Sequence, residues 1–410
     1  MYNSPAHLSS VIKSCALELG FHAVGITSAE PFDEAEHALI ERFEQGFLNG
    51  TSFNPETIKL YTHPRESFPT AQSIISVALS YLTSETGHQS LRTDVPRGFV
   101  ARFARGRDYH LVLQEKLALL TKLIRSKVQT SVQIYSLVDT GPLLDRSVAI
   151  RAGIGSRGKN TCVYVGEYKS WVVLGELVTD LELMPDKPGL LDICGECDAC
   201  MKACPTNAIR APFKVDVRIC LSYVTQMKGF IPLPLREKLG NRIYGCDTCQ
   251  SACPLNKYAK TGNVVDFQTP PSLSKTSSVA LTREERDTSE SHLASSGFGA
   301  NPELIPLLNI SPAEFKRQIG PTTVGWIGRT RFRRNIAVAL GNIGDPAAVP
   351  SLIEALSDPE PVIRAHAAWA LGKIGTLPAK NALESALHRE TDAKVSTEIR
   401  SALDFLLKSP

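Results

Sequence analysis

Residues 194–205 read CGECDACMKACP, four cysteines at successive steps of three, three and four residues, with a proline closing the run. A second run, CDTCQSACP, occupies 246–254 with three cysteines and again a proline after the last. Eight of the ten cysteines fall between Cys194 and Cys253. The opening MYNSPAHLSSVIKSCALELG has neither a basic, apolar and small-residue export signal nor a twin arginine, so a reducing cytoplasmic setting is expected. There, crowded cysteines read as ligands and not as bridges.

The first run has the form C-x2-C-x2-C-x3-C-P, the bacterial ferredoxin pattern in which three thiolates serve one [4Fe-4S] cluster and the fourth crosses to another. The second run is one ligand short, because Ile243 stands where a complete run would begin. Cys220, between the two, is the replacement. The expected division is Cys194, Cys197, Cys200 and Cys253 on one cluster and Cys204, Cys220, Cys246 and Cys249 on the other, leaving Cys15 and Cys162 over. Structural zinc also uses C-x2-C pairs, but it takes two of them and has no use for a third close cysteine or for two C-x3-C-P endings. Two linked clusters form an electron path, which implies an external donor and an acceptor elsewhere in the chain.

At 410 residues, with 43% apolar and 21% charged residues, the chain is long enough for two or three domains of ordinary globular composition. No apolar run is long enough to span a membrane. The net charge of +3 decides nothing about partners, since a basic patch can sit inside a near-neutral total.

Over residues 1–183 helical and strand patterns mix. Leu8, Ile12, Cys15 and Leu19 share a helical face, FHAVGIT, SIISVALSYL and VQIYSLVDT read as strands, and YHLVLQEKLALLTKLIRS reads as a helix. TCVYVG and SWVVLGELV are expected to form two strands joined by the turn EYK. The expectation is a multidomain α+β chain: an α/β layer domain over 1–183, a ferredoxin-like double-cluster domain over 184–262, a Ser/Thr-rich linker or loop over 263–300, and helical repeats over 301–410. The repeat shows when FRRNIAVALGNIG is laid over VIRAHAAWALGKIG, which aligns Leu340-Gly341 with Leu371-Gly372, Gly344 with Gly375 and Arg333 with Arg364. Such helix pairs resemble HEAT repeats, and a weaker third copy follows in KVSTEIRSALDFLL.

Within the first domain, Asp139 ends a strand just before TGP, where a carboxyl is either a cap or hydrogen-bond anchor, or a proton donor with a pKa raised by burial. The glycines of RAGIGSRGKNT suggest a phosphate loop, but Lys159 is followed by Asn160 where the Walker pattern needs Ser or Thr.

Together VDTGPLLDRSVAIRAGIG, GKNT, ARFARGRDYH, the two cysteine runs, YGCDTCQSACPLN and the repeat pair resemble the epoxyqueuosine reductases, cobalamin-dependent iron-sulfur enzymes of tRNA queuosine synthesis. The likeness covers nearly the whole chain apart from residues 270–297. It implies that the first domain holds a base-off cobalamin fed by the clusters. It further implies removal of the epoxide oxygen from epoxyqueuosine at a tRNA wobble position, with Asp139 as the acid. Arg102, Tyr109, His110, Asp139 and Asp247 are the candidate cobalamin contacts. Their plainer roles would be an ion pair for Arg102, core packing for Tyr109, a satisfied structural histidine for His110 and a turn cap for Asp247. Arg105, Ser156 and Arg157 depart from the family by placing polar groups where apolar ones are usual, near the expected cofactor wall.

A basic cluster with aromatic neighbours, Trp326 and Phe332, makes Arg329, Arg331 and Arg334 with Lys316 and Arg317 the candidate tRNA contacts. Arg333 is the member expected in repeat packing. The chain is expected to act as a monomer. Rival readings are a reductase of another substrate, like a reductive dehalogenase, and a non-catalytic redox-sensing scaffold. The first would imply an export signal, which the sequence does not show, and gives no use for the arginine-bearing tail; the second predicts no bound cobalt.

Overall fold

The computed structural model describes residues 4–84, 95–128, 131–268 and 299–408, so most of the expected 263–300 linker lies outside the described residues. The chain divides into two compact units, neither continuous in sequence. One comprises residues 1–84, 108–220 and 247–268; the other comprises 85–107, 221–246 and 269–410.

The first unit is built on a four-stranded sheet in the order Ala23–Ser28, Ser73–Ser80, Val172–Thr179, Ile134–Leu137. Every neighbouring pair in this sheet is antiparallel, which corrects the α/β expectation: helices lie against the sheet, but none of its described strand pairs has the parallel crossover that class requires. Ser73–Ser80 is buried at all eight positions, because helices cover both faces; a strand covered twice reads as a continuous apolar run and so mimics a parallel core strand. On one face Gly175 admits Leu113 and Leu117 of the Tyr109–Lys127 helix. On the other, a Cβ at Gly25 would lie 2.0 Å from the Ala152 carbonyl, just beyond the Asp145–Arg151 helix, so only glycine permits that approach.

The Pro5–Glu18 helix begins where Ser4 Oγ accepts the His7 amide at 3.3 Å and proline takes its first turn, a start suited to both residues. Leu8, Ile12 and Ala16 form its buried face and Cys15 is half-buried beside them. TCVYVG and SWVVLGELV form strands as expected, Val163–Tyr164 and Val172–Thr179, with a turn through Glu167–Lys169 between them, but they do not pair with each other. Val163–Tyr164 pairs instead with Ser156–Arg157, and Lys169 turns the chain at φ 54. Over residues 193–220 and 247–268 the chain has only short elements, including the helices Ala199–Ala203 and Thr248–Ser251.

In the second unit the helices Gly328–Ile343, Pro361–Ile374 and Ala393–Lys408 are the three expected repeat helices. The aligned glycines do the same work in each copy. A Cβ at Gly341 would lie 2.8 Å from the Ala370 Cα, and one at Gly372 would lie 2.8 Å from the Ala402 Cβ, so each lets the next helix approach closely. Gly344 and Gly375 close their helices at φ 75 and 76, the left-handed C-terminal position that favours glycine. Arg333 pairs with Asp358 at 2.5 Å and the equivalent Arg364 with Glu390 at 2.7 Å. No helix among the described residues is long and apolar enough to cross a membrane.

Candidate functional site

Asp139 follows the Ile134–Leu137 strand and adopts φ 55, a left-handed conformation uncommon for a residue with a Cβ and typical of constrained site residues. It faces His110, second residue of the Tyr109–Lys127 helix. Asp108 caps that helix, accepting the His110 amide at 3.0 Å and holding its Nδ1 at 2.7 Å. The other ring nitrogen, Nε2, lies 3.5 Å from Asp139 Oδ2. Tyr109, buried, stacks on the same imidazole with ring centroids 4.0 Å apart.

These contacts set the charges. Burial alone would push the His110 pKa down, but the hydrogen bonds and charges of Asp108 and Asp139 outweigh it and raise it to about 9. Asp139 moves the other way, held below the usual carboxylate range first by its bond to His110, although burial opposes this. Its side chain is 60% exposed, so solvent moderates the pull. The burial-raised acid expected at Asp139 is therefore corrected: near neutral pH the pair carries one proton, and it resides on the imidazole.

Two further carboxyls lie behind Asp139. Burial first, and then the Asp139 charge, push Asp145 up to about 7. Glu176 is wholly buried, and burial followed by the charges of Asp145 and Asp139 raises it well above the ordinary value. The Oγ of Ser76, its cross-strand neighbour, has no hydrogen-bond partner among the described residues, and the side chain that acts on Glu176 is another carboxyl, Asp145. A carboxyl so placed stays protonated, since ionising it in the interior beside a second acid is costly. Sequence reasoning missed Asp108, Asp145 and Glu176. The visible signals were a helix-capping position at Asp108 and a lone charge inside the apolar strand VVLGELV.

None of the ten cysteines is joined in a disulfide. Burial, with Cys249, Cys194 and Cys253 nearby, pushes the Cys200 thiol up to about 11, and Cys194 is raised by burial with Cys253 and Cys197 among its neighbours. Cys194, Cys197, Cys200, Cys249 and Cys253 thus interact, and members of both expected ligand sets act on Cys200. Burial opposes the Cys204 thiolate, but the Thr206 amide and hydroxyl and the amides of Ala208 and Ile209 outweigh it and lower its pKa. The Ala208 amide donates to Cys204 Sγ at 3.2 Å, the Lys159 amide to Cys194 Sγ at 3.3 Å, and the Tyr164 hydroxyl to Cys253 Sγ at 3.1 Å. Donors aimed at sulfur are what cluster-bound thiolates accept, so this donor set fits iron-sulfur ligation. Cys162, left over by counting, hydrogen-bonds Cys249.

Tyr109, His110 and Asp139 come together. Asp247 is buried beside the Thr248–Ser251 helix and makes no side-chain cap there. Arg102 opens a short 3-10 turn in the second unit. The departures have local partners. Arg105 is buried and donates to the Val100 carbonyl at 2.9 Å, Ser156 Oγ accepts the Leu190 amide, and Arg157 donates to the Leu191 carbonyl over the Phe213 ring.

Among the basic candidates, Arg334 is fully buried, with its guanidinium on the carbonyls of Met227 and Gly229 at 2.7 Å. It is a structural tie and not the exposed phosphate contact expected of it. Arg329 donates to the Ile310 carbonyl and Arg331 to the Gln226 carbonyl, both half-exposed. Phe332 is buried, whereas Trp326 is 63% exposed with the Arg331 guanidinium 5.4 Å from its ring centre. Lys316 and Arg317 are exposed on the last turn of the Pro312–Gln318 helix.

Three family profiles match the chain: a 4Fe-4S double cluster binding domain over residues 193–256, Epoxyqueuosine reductase QueG, DUF1730 over 62–140, and HEAT repeats over 329–404. An epoxyqueuosine reductase of Bacillus subtilis (strain 168) is 39% identical over 396 residues, 96% of this chain and 95% of its own. The Escherichia coli (strain K12) epoxyqueuosine reductase is 35% identical over 367 residues, 89% of each chain. Among solved structures, an epoxyqueuosine reductase crystallised with an epoxyqueuosine-modified tRNA-Tyr stem loop superposes at TM-score 0.86 and 37% identity, over 98% of this chain and all of that one.

Proposed function

The chain belongs to the epoxyqueuosine reductase family, and on that premise we propose that it reduces epoxyqueuosine in tRNA to queuosine, using two [4Fe-4S] clusters, cobalamin and the His110–Asp139 pair. The observation that carries this reading is the pair itself, a proton held on His110 against a carboxylate that faces solvent. The net change takes two electrons and two protons, converts the epoxide to an alkene and releases its oxygen as water.

Asp139 is the group that meets the departing oxygen. It delivers a proton in the form of the pair where that proton sits on the carboxyl, and His110 restores it across the 3.5 Å gap. The two groups titrate as a unit, so the proton belongs to the pair. Asp108 keeps the imidazole charged and oriented, a positioning role. Exposure of Asp139 lets solvent replace the proton after each turnover.

Cobalamin, when bound, supplies the low-potential cobalt chemistry that opens the epoxide. Both imidazole nitrogens of His110 are engaged by carboxylates, so His110 would line the cofactor pocket through its ring and hold Asp139 in place. Tyr109, Asp139, Arg102 and Asp247 complete the proposed contacts. The clusters divide as Cys194, Cys197, Cys200 and Cys253 against Cys204, Cys220, Cys246 and Cys249. An external donor supplies the electrons. The protein acts on tRNA through Lys316 and Arg317, with Arg329, Arg331 and the exposed Trp326 beside them.

Metal analysis of anaerobically reconstituted, cobalamin-loaded protein tests the cofactor reading. About eight iron atoms and one cobalt per chain are expected after desalting. Full iron with no retained cobalt would overturn the cobalamin part.

A further inference from the structure

The stretch GKNT, Gly158–Thr161, lacks the residues of a phosphate loop, and its hydrogen bonds run instead to the cysteine segment at 194–195 and to Tyr164. The Lys159 amide donates to Cys194 Sγ at 3.3 Å and its ammonium bonds the Gly195 carbonyl. Asn160 Oδ1 accepts the Cys162 amide at 3.1 Å, which fixes the orientation of its side-chain amide. Its Nδ2 therefore donates to the Tyr164 oxygen, also at 3.1 Å. Because that oxygen is accepting from Asn160, the single hydroxyl proton of Tyr164 is directed to its remaining neighbour, Cys253 Sγ, at 3.1 Å. Asn160, Tyr164 and Cys253 are 5%, 6% and 9% exposed. Gly158 makes room for the ring: a Cβ there would lie 2.4 Å from Tyr164 Cε2.

We propose that Tyr164, aligned by Asn160, donates a hydrogen bond from its hydroxyl to the Cys253 thiolate and thereby raises the reduction potential of the cluster held by Cys194, Cys197, Cys200 and Cys253. The proposal rests on the ligand division given above. Reduction by one electron from the external donor adds negative charge that spreads onto the cluster sulfurs, with no bond made or broken. A buried donor at 3.1 Å stabilises the more negative state above the less negative one, where little solvent competes. The Lys159 amide acts in the same sense on Cys194, so two of the four thiolates carry donors from this one segment.

Tyr164→Phe removes the hydroxyl and keeps the ring, and 3-fluorotyrosine at 164 gives a stronger donor of nearly the same shape. Full-length proteins reconstituted anaerobically are titrated potentiometrically, with the reduced clusters followed by electron paramagnetic resonance. The Phe variant should move one of the two midpoints to a more negative potential and leave the other in place. The fluorotyrosine protein should move the same midpoint the opposite way. Unchanged midpoints in the Phe variant at full iron content would overturn the proposal, as a purely space-filling tyrosine predicts. Should the Phe variant lose its cluster, the fluorotyrosine protein decides, and an unmoved midpoint there overturns it. Iron and sulfide well short of two clusters in the wild type would instead overturn the cluster reading beneath it.

Discussion

His110 stands between two carboxylates, 2.7 Å from Asp108 at Nδ1 and 3.5 Å from Asp139 at Nε2. Its charge is therefore part of the fold as well as of the chemistry. A histidine whose folded pKa is raised from 6.5 to about 9 contributes stability that is complete below about pH 6.5 and disappears as the pH rises through about 9. Activity should show an alkaline limb near the same value. Asp108→Asn, which removes a charge but keeps an acceptor, should shift that limb to lower pH. A limb unmoved in Asp108→Asn would mean that another group sets it.

Glu176 gives the opposite pH signature from the buried side of the same site. A carboxyl whose folded pKa is raised costs nothing below its unfolded value of about 4.5 and destabilises the fold increasingly as the pH climbs toward its folded value. Glu176→Gln should therefore gain melting temperature over the wild type as the pH rises above about 5. A difference that stays flat across this range would show that Glu176 does not resist ionisation.

The Arg333–Asp358 pair is a structural tie in the repeats, with side chains only 3% and 8% exposed. Arg333→Ala removes the direct partner of the buried Asp358, which keeps the Glu360 amide and the charges of Arg329 and Arg364, and should cost about 3 kcal/mol in chemical denaturation, the low end for a broken buried pair. Replacing both with apolar residues of similar volume should recover most of that loss. Equal losses in the single and double variants would indicate that packing, and not charge, sets the cost.

Lys316 and Arg317 lie exposed on one helical turn. If each contacts a phosphate, Lys316→Ala and Arg317→Ala should weaken tRNA binding and reduce the slope of log affinity against log salt by about 0.7–0.9 each. Arg334→Ala should instead lower stability, because that guanidinium ties backbone carbonyls in the interior. Unaltered tRNA affinity and slope in both surface variants would place the phosphate contacts elsewhere.

Patterns with a fixed period or spacing were legible in the sequence. The 31-residue step from Leu340 to Leu371 returned as equivalent close-approach glycines, helix-ending glycines and arginine ion pairs. The cysteine runs named the double-cluster segment that the family profile also matches. What escaped depended on contacts between distant residues. The apolar run Ser73–Ser80 reads the same in a parallel or an antiparallel sheet when both faces are covered, so strand direction was invisible. The buried state of Arg334 could not be told from its exposed-looking neighbours in GRTRFRRN. The direction of the Asp139 pKa was set by His110, 29 positions away, and the Asn160–Tyr164–Cys253 chain of bonds has no local motif.

The most direct measurement is nucleoside analysis of epoxyqueuosine-containing tRNA after anaerobic incubation with the reduced, cobalamin-loaded protein, comparing wild type with Asp139→Asn. The wild type should convert epoxyqueuosine to queuosine, while the variant, with full iron and cobalt content, should leave it unconverted. Queuosine formed by Asp139→Asn at the wild-type rate, or none formed by the intact wild type, would contradict the account.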